Sequence, residues 1–110
     1  MHLKNFSLIE ENEGYRLSPA YDFISTNLLV PKDMEEMALS LNGKKRNLRL
    51  GDFLKLTGKI GIDVAKAKEI IGYLVSDPNK YFSLIKESML TEEAKNSFVS
   101  LINNRINRLI

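Results

Sequence analysis

The hydrophobic period of the chain changes at Leu50, and that change constrains the fold more than any other feature. Before it, apolar residues come in short β-like runs broken by turn residues; after it, they recur at helical spacing. Leu50, Phe53, Leu54 and Thr57 share one helix face, and Gly61 stands where a helix terminator is expected. Asp63 is placed to cap a second helix carrying Val64, Ala67, Ile71 and Leu74. Asp77-Pro78 supplies an N-cap and an N1 proline for a third, with Tyr81, Phe82, Ile85 and Met89. Thr91-Glu92-Glu93 opens a last helix carrying Ala94, Phe98, Leu101, Ile102, Ile106 and Leu109. Arg105 and Arg108 lie in its final turns, where cations suit the helix dipole.

The first half is punctuated differently. Asn5 to Ile9 reads as a strand, Glu11 to Gly14 as a polar turn, and Tyr15 to Leu17 as the return strand of a hairpin with a loop of four or five residues. Ser18-Pro19 ends it, because proline cannot donate a ladder hydrogen bond. Tyr21 to Thr26 opens into a short helix, and Pro31-Lys32-Asp33 is a loop. Glu36 to Leu41 and Lys44 to Leu48 flank Asn42-Gly43, a dipeptide that tolerates the positive φ of a type I′ turn and so predicts a second hairpin. No Pro/Gly/Ser linker divides the halves, and a β piece of about 50 residues is hard to stabilise alone. The expectation is therefore one domain over 1–110, α+β and mostly α: a hairpin-rich segment over 1–49, then a bundle of about four helices over 50–110.

Composition narrows the chemistry. At 44% hydrophobic and 27% charged over 110 residues, the chain has the makings of a globular core. The absence of cysteine excludes a disulfide framework, a thiolate metal site and cysteine catalysis, and agrees with a reducing cytoplasm. A net charge of +2 does not by itself imply nucleic acid. No apolar run approaches the roughly 18 residues of a membrane span. No long apolar stretch follows Lys4, as a secretory signal would require.

Few residues have the makings of a site. His2 is the only histidine and has no partner for a transition-metal cage; a lone histidine near a chain start is ordinarily exposed and inert. Asp22, between two aromatics just after a proline break, is either an oxygen ligand for Mg²⁺ or the N-cap of the helix that follows. Asn5 is either a second hard-cation ligand or a turn residue bonded to its own backbone. The two belong to opposite ends of the first hairpin, and antiparallel pairing would bring both within reach of one ion. Lys44, Lys45, Arg46 and Arg49 form a basic run that either meets phosphate or simply solvates a strand edge. Gly58-Lys59-Ile60-Gly61 lacks the spacing and the Lys-Ser/Thr ending of a phosphate loop.

Two stretches carry a resemblance. His2-Leu3-Lys4-Asn5-Phe6-Ser7 resembles the second half of the Asp-x-His-x-Lys-Asn-Phe-Ser motif of the HipA family, and Leu17-Ser18-Pro19-Ala20-Tyr21-Asp22 resembles that family's Leu-(Ser/Thr)-Pro-x-Tyr-Asp motif. Their order, and their separation by one short hairpin, match as well. The Ala38-to-Lys44 stretch is similar to HipA relatives, whereas the helical remainder adds little motif information. The resemblance implies part of the carboxy-terminal lobe of a protein-kinase-like fold, from bacterial toxin serine/threonine kinases that phosphorylate translation factors and are often neutralised by a helix-turn-helix antitoxin. By matching position it implies that Asn5 and Asp22 hold Mg²⁺ in the presence of ATP. His2 and Lys4 match motif positions without a defined step.

The resemblance also implies what the 110 residues leave out. The family's catalytic aspartate falls immediately before Met1, and the ATP-binding amino-terminal lobe and its lysine have no counterpart here. The expectation is a carboxy-terminal kinase piece that is inactive alone and holds no cofactor alone, with the amino-terminal kinase lobe as its missing partner. The alternative is a free-standing interaction module that docks on an antitoxin or on a separately encoded lobe. A nucleic-acid-binding helical domain, resting on Lys44, Lys45, Arg46, Arg49, Arg105 and Arg108, ranks last: direct nucleic-acid binding is not expected, nor is a membrane.

Overall fold

The computed structural model describes residues 3–22, 24–30 and 35–110. The chain is α+β: among the described residues a two-stranded antiparallel hairpin is followed by five α-helices. A 3₁₀ turn spans Leu3–Asn5, β1 spans Leu8–Glu11 and β2 spans Gly14–Leu17. The helices are α1 (Thr26–Leu29), α2 (Leu50–Lys59), α3 (Val64–Val75), α4 (Asn79–Glu87) and α5 (Glu92–Ile106).

The hairpin is shorter and tighter than the spacing predicts. Its register runs Leu8↔Leu17 to Glu11↔Gly14, which leaves a two-residue loop, Asn12-Glu13. Gly14 closes that loop at φ 140°, a conformation that a side chain rarely adopts. Asn5 lies in the 3₁₀ turn and not in the strand, because its side chain and those around it are committed across the hairpin's open end. There Ser18 N–H donates to Ser7 O at 2.8 Å, and the Tyr21 hydroxyl donates to Lys4 O at 3.1 Å.

The second hairpin does not form as a ladder. The Asn42-Gly43 turn is present, with φ 52° and 74°, but it closes a single bridge, Leu41↔Lys44. Continued pairing from that bridge would oppose Lys45 to Ser40. Instead Lys45 O accepts from the N–H of Glu36 at 2.7 Å, so the intervening residues bow out. Asn47, at φ 53°, bends the return segment, and the Glu36 carboxylate takes the N–H groups of Asn47 and Leu48 that a strand partner would have taken. Leu41 and Leu48 are buried at the two ends of this loop, so it is pinned rather than loose.

The helix boundaries follow the sequence closely. Gly61, at φ 74°, ends α2, and the N–H of Ile62 returns to Thr57 O at 2.9 Å, as a Schellman-type terminus requires. Asp63 caps α3 by accepting from Lys66 N–H at 3.0 Å, and Thr91 caps α5 through Ala94 N–H at 3.3 Å. Each such cap contributes about 1 kcal/mol. Asp77 accepts from Asn79 N–H at 3.2 Å and opens α4 after Pro78. α2 packs on α3, and α4 and α1 pack on α5.

The core is thin. Its buried apolar members are Leu41, Leu48, Ala67, Ile85 and Ile106, while Leu74 and Val64, expected on the core stripe of α3, are half-exposed. The accessible surface is 8618 Å², against about 6,200 Å² for a folded monomer of 12.6 kDa. The radius of gyration is 16.1 Å, against about 13 Å for a compact domain of this length. Among the described residues no helix is long and apolar enough to cross a membrane.

Candidate functional site

The hairpin's open end gathers the residues that the sequence set apart. β1 and β2 pair with Leu8 opposite Leu17, so the segments entering and leaving the hairpin run out side by side. Asn5 Nδ2 donates to the main-chain O of Asp22 at 3.1 Å and to its carboxylate Oδ2 at 3.2 Å. Asn5 is buried whereas Asp22 is exposed, so the amide acts as the fixed member of the pair. Asp22 adopts φ 57°, a left-handed backbone that Asp and Asn tolerate better than other side chains do.

This hydrogen-bond pattern sorts the oxygens. The amide spends its donor on Asp22, which leaves Asn5 Oδ1 and Asp22 Oδ1 as acceptors with no donor among the described residues. One amide oxygen and one carboxylate oxygen form a hard-donor set that fits Mg²⁺, which keeps several waters and takes one or two protein ligands. Among the described residues no cluster of three or more His, Cys, Asp or Glu side chains gathers. The N-cap alternative for Asp22 does not hold, since α1 begins at Thr26 and its N-cap is Ser25.

The pair opens on a cleft of about 660 Å³. The cleft is lined by Lys4, Asn5 and Asp22, by residues of α1 including Asn27, and by Glu36 and Lys45. Lys45 Nζ pairs with Glu35 at 3.1 Å. Lys4, matched by motif position alone in the sequence, therefore reaches the cleft. His2 lies outside the described residues.

Glu36 is the wall residue that sequence reading missed. Its Oε1 accepts from Arg105 Nη1 at 2.5 Å, from Arg108 Nη1 at 2.6 Å and from Asn47 N–H at 3.0 Å, while Oε2 accepts from Leu48 N–H at 3.2 Å. Burial works against its ionisation, but the Arg108 hydrogen bond, the two main-chain N–H groups and the Arg105 charge outweigh it. The carboxyl is thus held below its ordinary value. Arg105 lies 69 residues away in sequence, so no local pattern announces the contact.

Two members of the basic run are paired within the chain: Lys44 Nζ with the buried Asp52 at 3.0 Å and Lys45 with Glu35, while Arg105 and Arg108 pair with Glu36. Asp52 also accepts from Arg49 N–H at 3.1 Å, closing the first turn of α2. Its acidic position in that first turn was the readable signal.

A family model described as the HipA-like C-terminal domain matches residues 1–81. The chain belongs to this family. The match takes in the HipA-like hairpin, the Asn5–Asp22 pair and the Glu36 wall, and it ends within α4. In this HipA-like domain α5 therefore lies beyond the matched residues, although its Arg105, and Arg108 just after it, reach back to Glu36. Comparison with curated proteins gave no match.

Proposed function

We propose that this HipA-like domain supplies the metal-holding side of a serine/threonine kinase active site, with Asn5 and Asp22 as the protein ligands of Mg²⁺. The observation that carries this reading is the Asn5–Asp22 pair, joined across 17 residues at the mouth of the cleft, in a chain that belongs to the family. When bound with nucleotide, the ion would neutralise phosphate charge. The chain's own part is to hold two oxygens at a fixed separation and to keep the cleft walls around them.

Phosphoryl transfer needs a base and a phosphate cradle in addition to metal ligands. In this reading both come from an amino-terminal kinase lobe outside these 110 residues, and the domain alone is not catalytic. Its surface supports that dependence. The accessible area exceeds that of a folded monomer of the same mass by roughly 2,400 Å², and the hairpin presents Leu8, Leu17 and Tyr15 on one face, each more than half exposed. The substrate, in this reading, is a protein hydroxyl on a translation factor.

Complementation tests the proposal. The chain alone should transfer no labelled phosphate from ATP. Mixed with the amino-terminal lobe of a HipA-like kinase that carries the catalytic aspartate, it should restore transfer that depends on Asn5 and Asp22. Transfer by the chain alone would overturn the reading.

A second reading is a non-catalytic interaction module that covers the same hairpin face with a helix-turn-helix antitoxin or a separately encoded lobe. The uncovered Leu8, Leu17 and Tyr15 favour it equally. The two part on metal: a module of this kind has no need of Asn5 and Asp22, so binding would survive Asp22→Asn while restored transfer would not.

A further inference from the structure

Arg105 touches two residues that line the cleft at once. Its Nη1 donates to Glu36 Oε1 at 2.5 Å, and its Nη2 donates to Asn27 Oδ1 at 3.4 Å. Asn27 belongs to α1, the short helix that follows Asp22, and its own Nδ2 donates to Glu35 O at 3.1 Å. Glu36 follows Glu35 in the neighbouring lining segment, where its N–H is fixed on Lys45 O at 2.7 Å. Asn27 and Glu36 both line the cleft that holds Asn5 and Asp22. A guanidinium is planar and presents its donors as a rigid fork, so a single group bonded to both residues fixes how α1 sits against the Glu36 segment, alongside the Asn27–Glu35 bond.

Arg108 differs in kind. It donates to Glu36 at 2.6 Å and to Asn104 Oδ1 at 2.6 Å, which ties it to one lining segment and back to the α5 it follows. The O of Arg108 also accepts from Leu50 N–H at 3.0 Å, anchoring the end of the chain to the start of α2. Arg108 thus holds Glu36 in place, whereas Arg105 joins Glu36 to α1 from outside the cleft.

The geometry points to Arg105 as a positioning residue that holds α1 against the Glu36 segment, and so sets the placement of two segments lining the Asn5–Asp22 cleft, from α5, a helix beyond the residues that define the family match. The effect on metal rests on the reading of Asn5 and Asp22 as ligands. The effect on the walls does not. Lysine at 105 keeps the charge but has no fork, so it engages one wall at a time.

The experiment uses the full 110-residue chain labelled with ¹⁵N, with Mn²⁺ as a paramagnetic stand-in for Mg²⁺. Arg105→Met should shift the amide resonances of Asn5, Asp22 and Asn27 and weaken Mn²⁺ binding at Asn5 and Asp22 by on the order of fivefold or more. Resonances of α3 around Ala67 should not move. Arg105→Lys should fall between wild type and Arg105→Met. Arg108→Met should move Met37 and Ala38 but weaken Mn²⁺ binding less than Arg105→Met does, even where its loss of thermal stability is equal.

Wild-type affinity in Arg105→Met would overturn the proposal, as would weakening in both arginine variants that merely tracks their lost stability. If the wild type takes no Mn²⁺ at this site, the ligand reading fails by itself. The positioning role is then decided by the resonances, and an Arg105→Met spectrum unchanged at Asn5 and Asp22 overturns it.

Discussion

The side-chain amide of Asn5 holds Asp22 by two atoms, the main-chain O at 3.1 Å and the carboxylate Oδ2 at 3.2 Å. The bond to the main chain depends only on the path of the backbone. The bond to the carboxylate depends on the side chain at position 22. Substitutions can separate the two.

Asp22→Asn keeps a residue that tolerates φ 57°. Its thermal stability should stay close to wild type while cation binding is lost. Asp22→Ala removes the carboxylate and also places a Cβ with no compensating polar group in the left-handed region, at a cost of about 1 kcal/mol. Urea unfolding of the two variants should therefore differ, although cation binding should be abolished in both.

Acid should weaken the fold through two carboxylates. In Glu36, burial opposes ionisation, and the Arg108 bond, the Asn47 and Leu48 N–H groups and Arg105 prevail. In Asp52, the Lys44 hydrogen bond leads, followed by Arg49 N–H. Both folded-state values lie below the ordinary 4.5 and 3.8. Each group therefore stabilises the fold fully above its unfolded value and loses that contribution as pH falls through the folded one. Stability measured by urea midpoint should be flat above about pH 5 and fall below about 4. Glu36→Gln should cost about 2 kcal/mol at neutral pH and flatten part of the acid limb; Asp52→Asn should flatten the rest.

Gly43→Ala tests the tip of the loop. A Cβ there meets no atom within 4 Å, so the penalty is conformational: φ is +74°. Destabilisation of about 1 kcal/mol by thermal melting is expected, with the largest amide shifts at Leu41 and Lys44.

What the sequence announced and what it hid divide by distance along the chain. Asp63, Thr91 and Gly61 each act within a few residues, so spacing alone placed the ends of α2, α3 and α5. The Asn5–Asp22 meeting was also legible, because one hairpin joins them. The second hairpin failed as a prediction because its flanks are governed from afar. Glu36, read as a strand residue, is claimed by Arg105 of α5 and by Arg108 just beyond it, and its carboxylate then satisfies the Asn47 and Leu48 N–H groups that a ladder would have used. No periodic pattern encodes an ion pair across 69 residues.

The exposed hairpin face gives a prediction about assembly. Leu8, Leu17 and Tyr15 bury little against the rest of the domain, so Leu17→Thr and Tyr15→Thr should change its stability by no more than about 0.5 kcal/mol. Both should weaken binding to a kinase lobe, read by calorimetry, because that face is where the surplus apolar surface lies.

Whether Asn5 and Asp22 hold a divalent cation, as proposed, is decided by Mn²⁺ titration of the ¹⁵N-labelled chain. Paramagnetic broadening should start at the amides of Asn5 and Asp22 and disappear in Asp22→Asn. Broadening that starts instead around the acidic Glu10-to-Glu13 turn, or that persists unchanged in Asp22→Asn, would contradict the proposal.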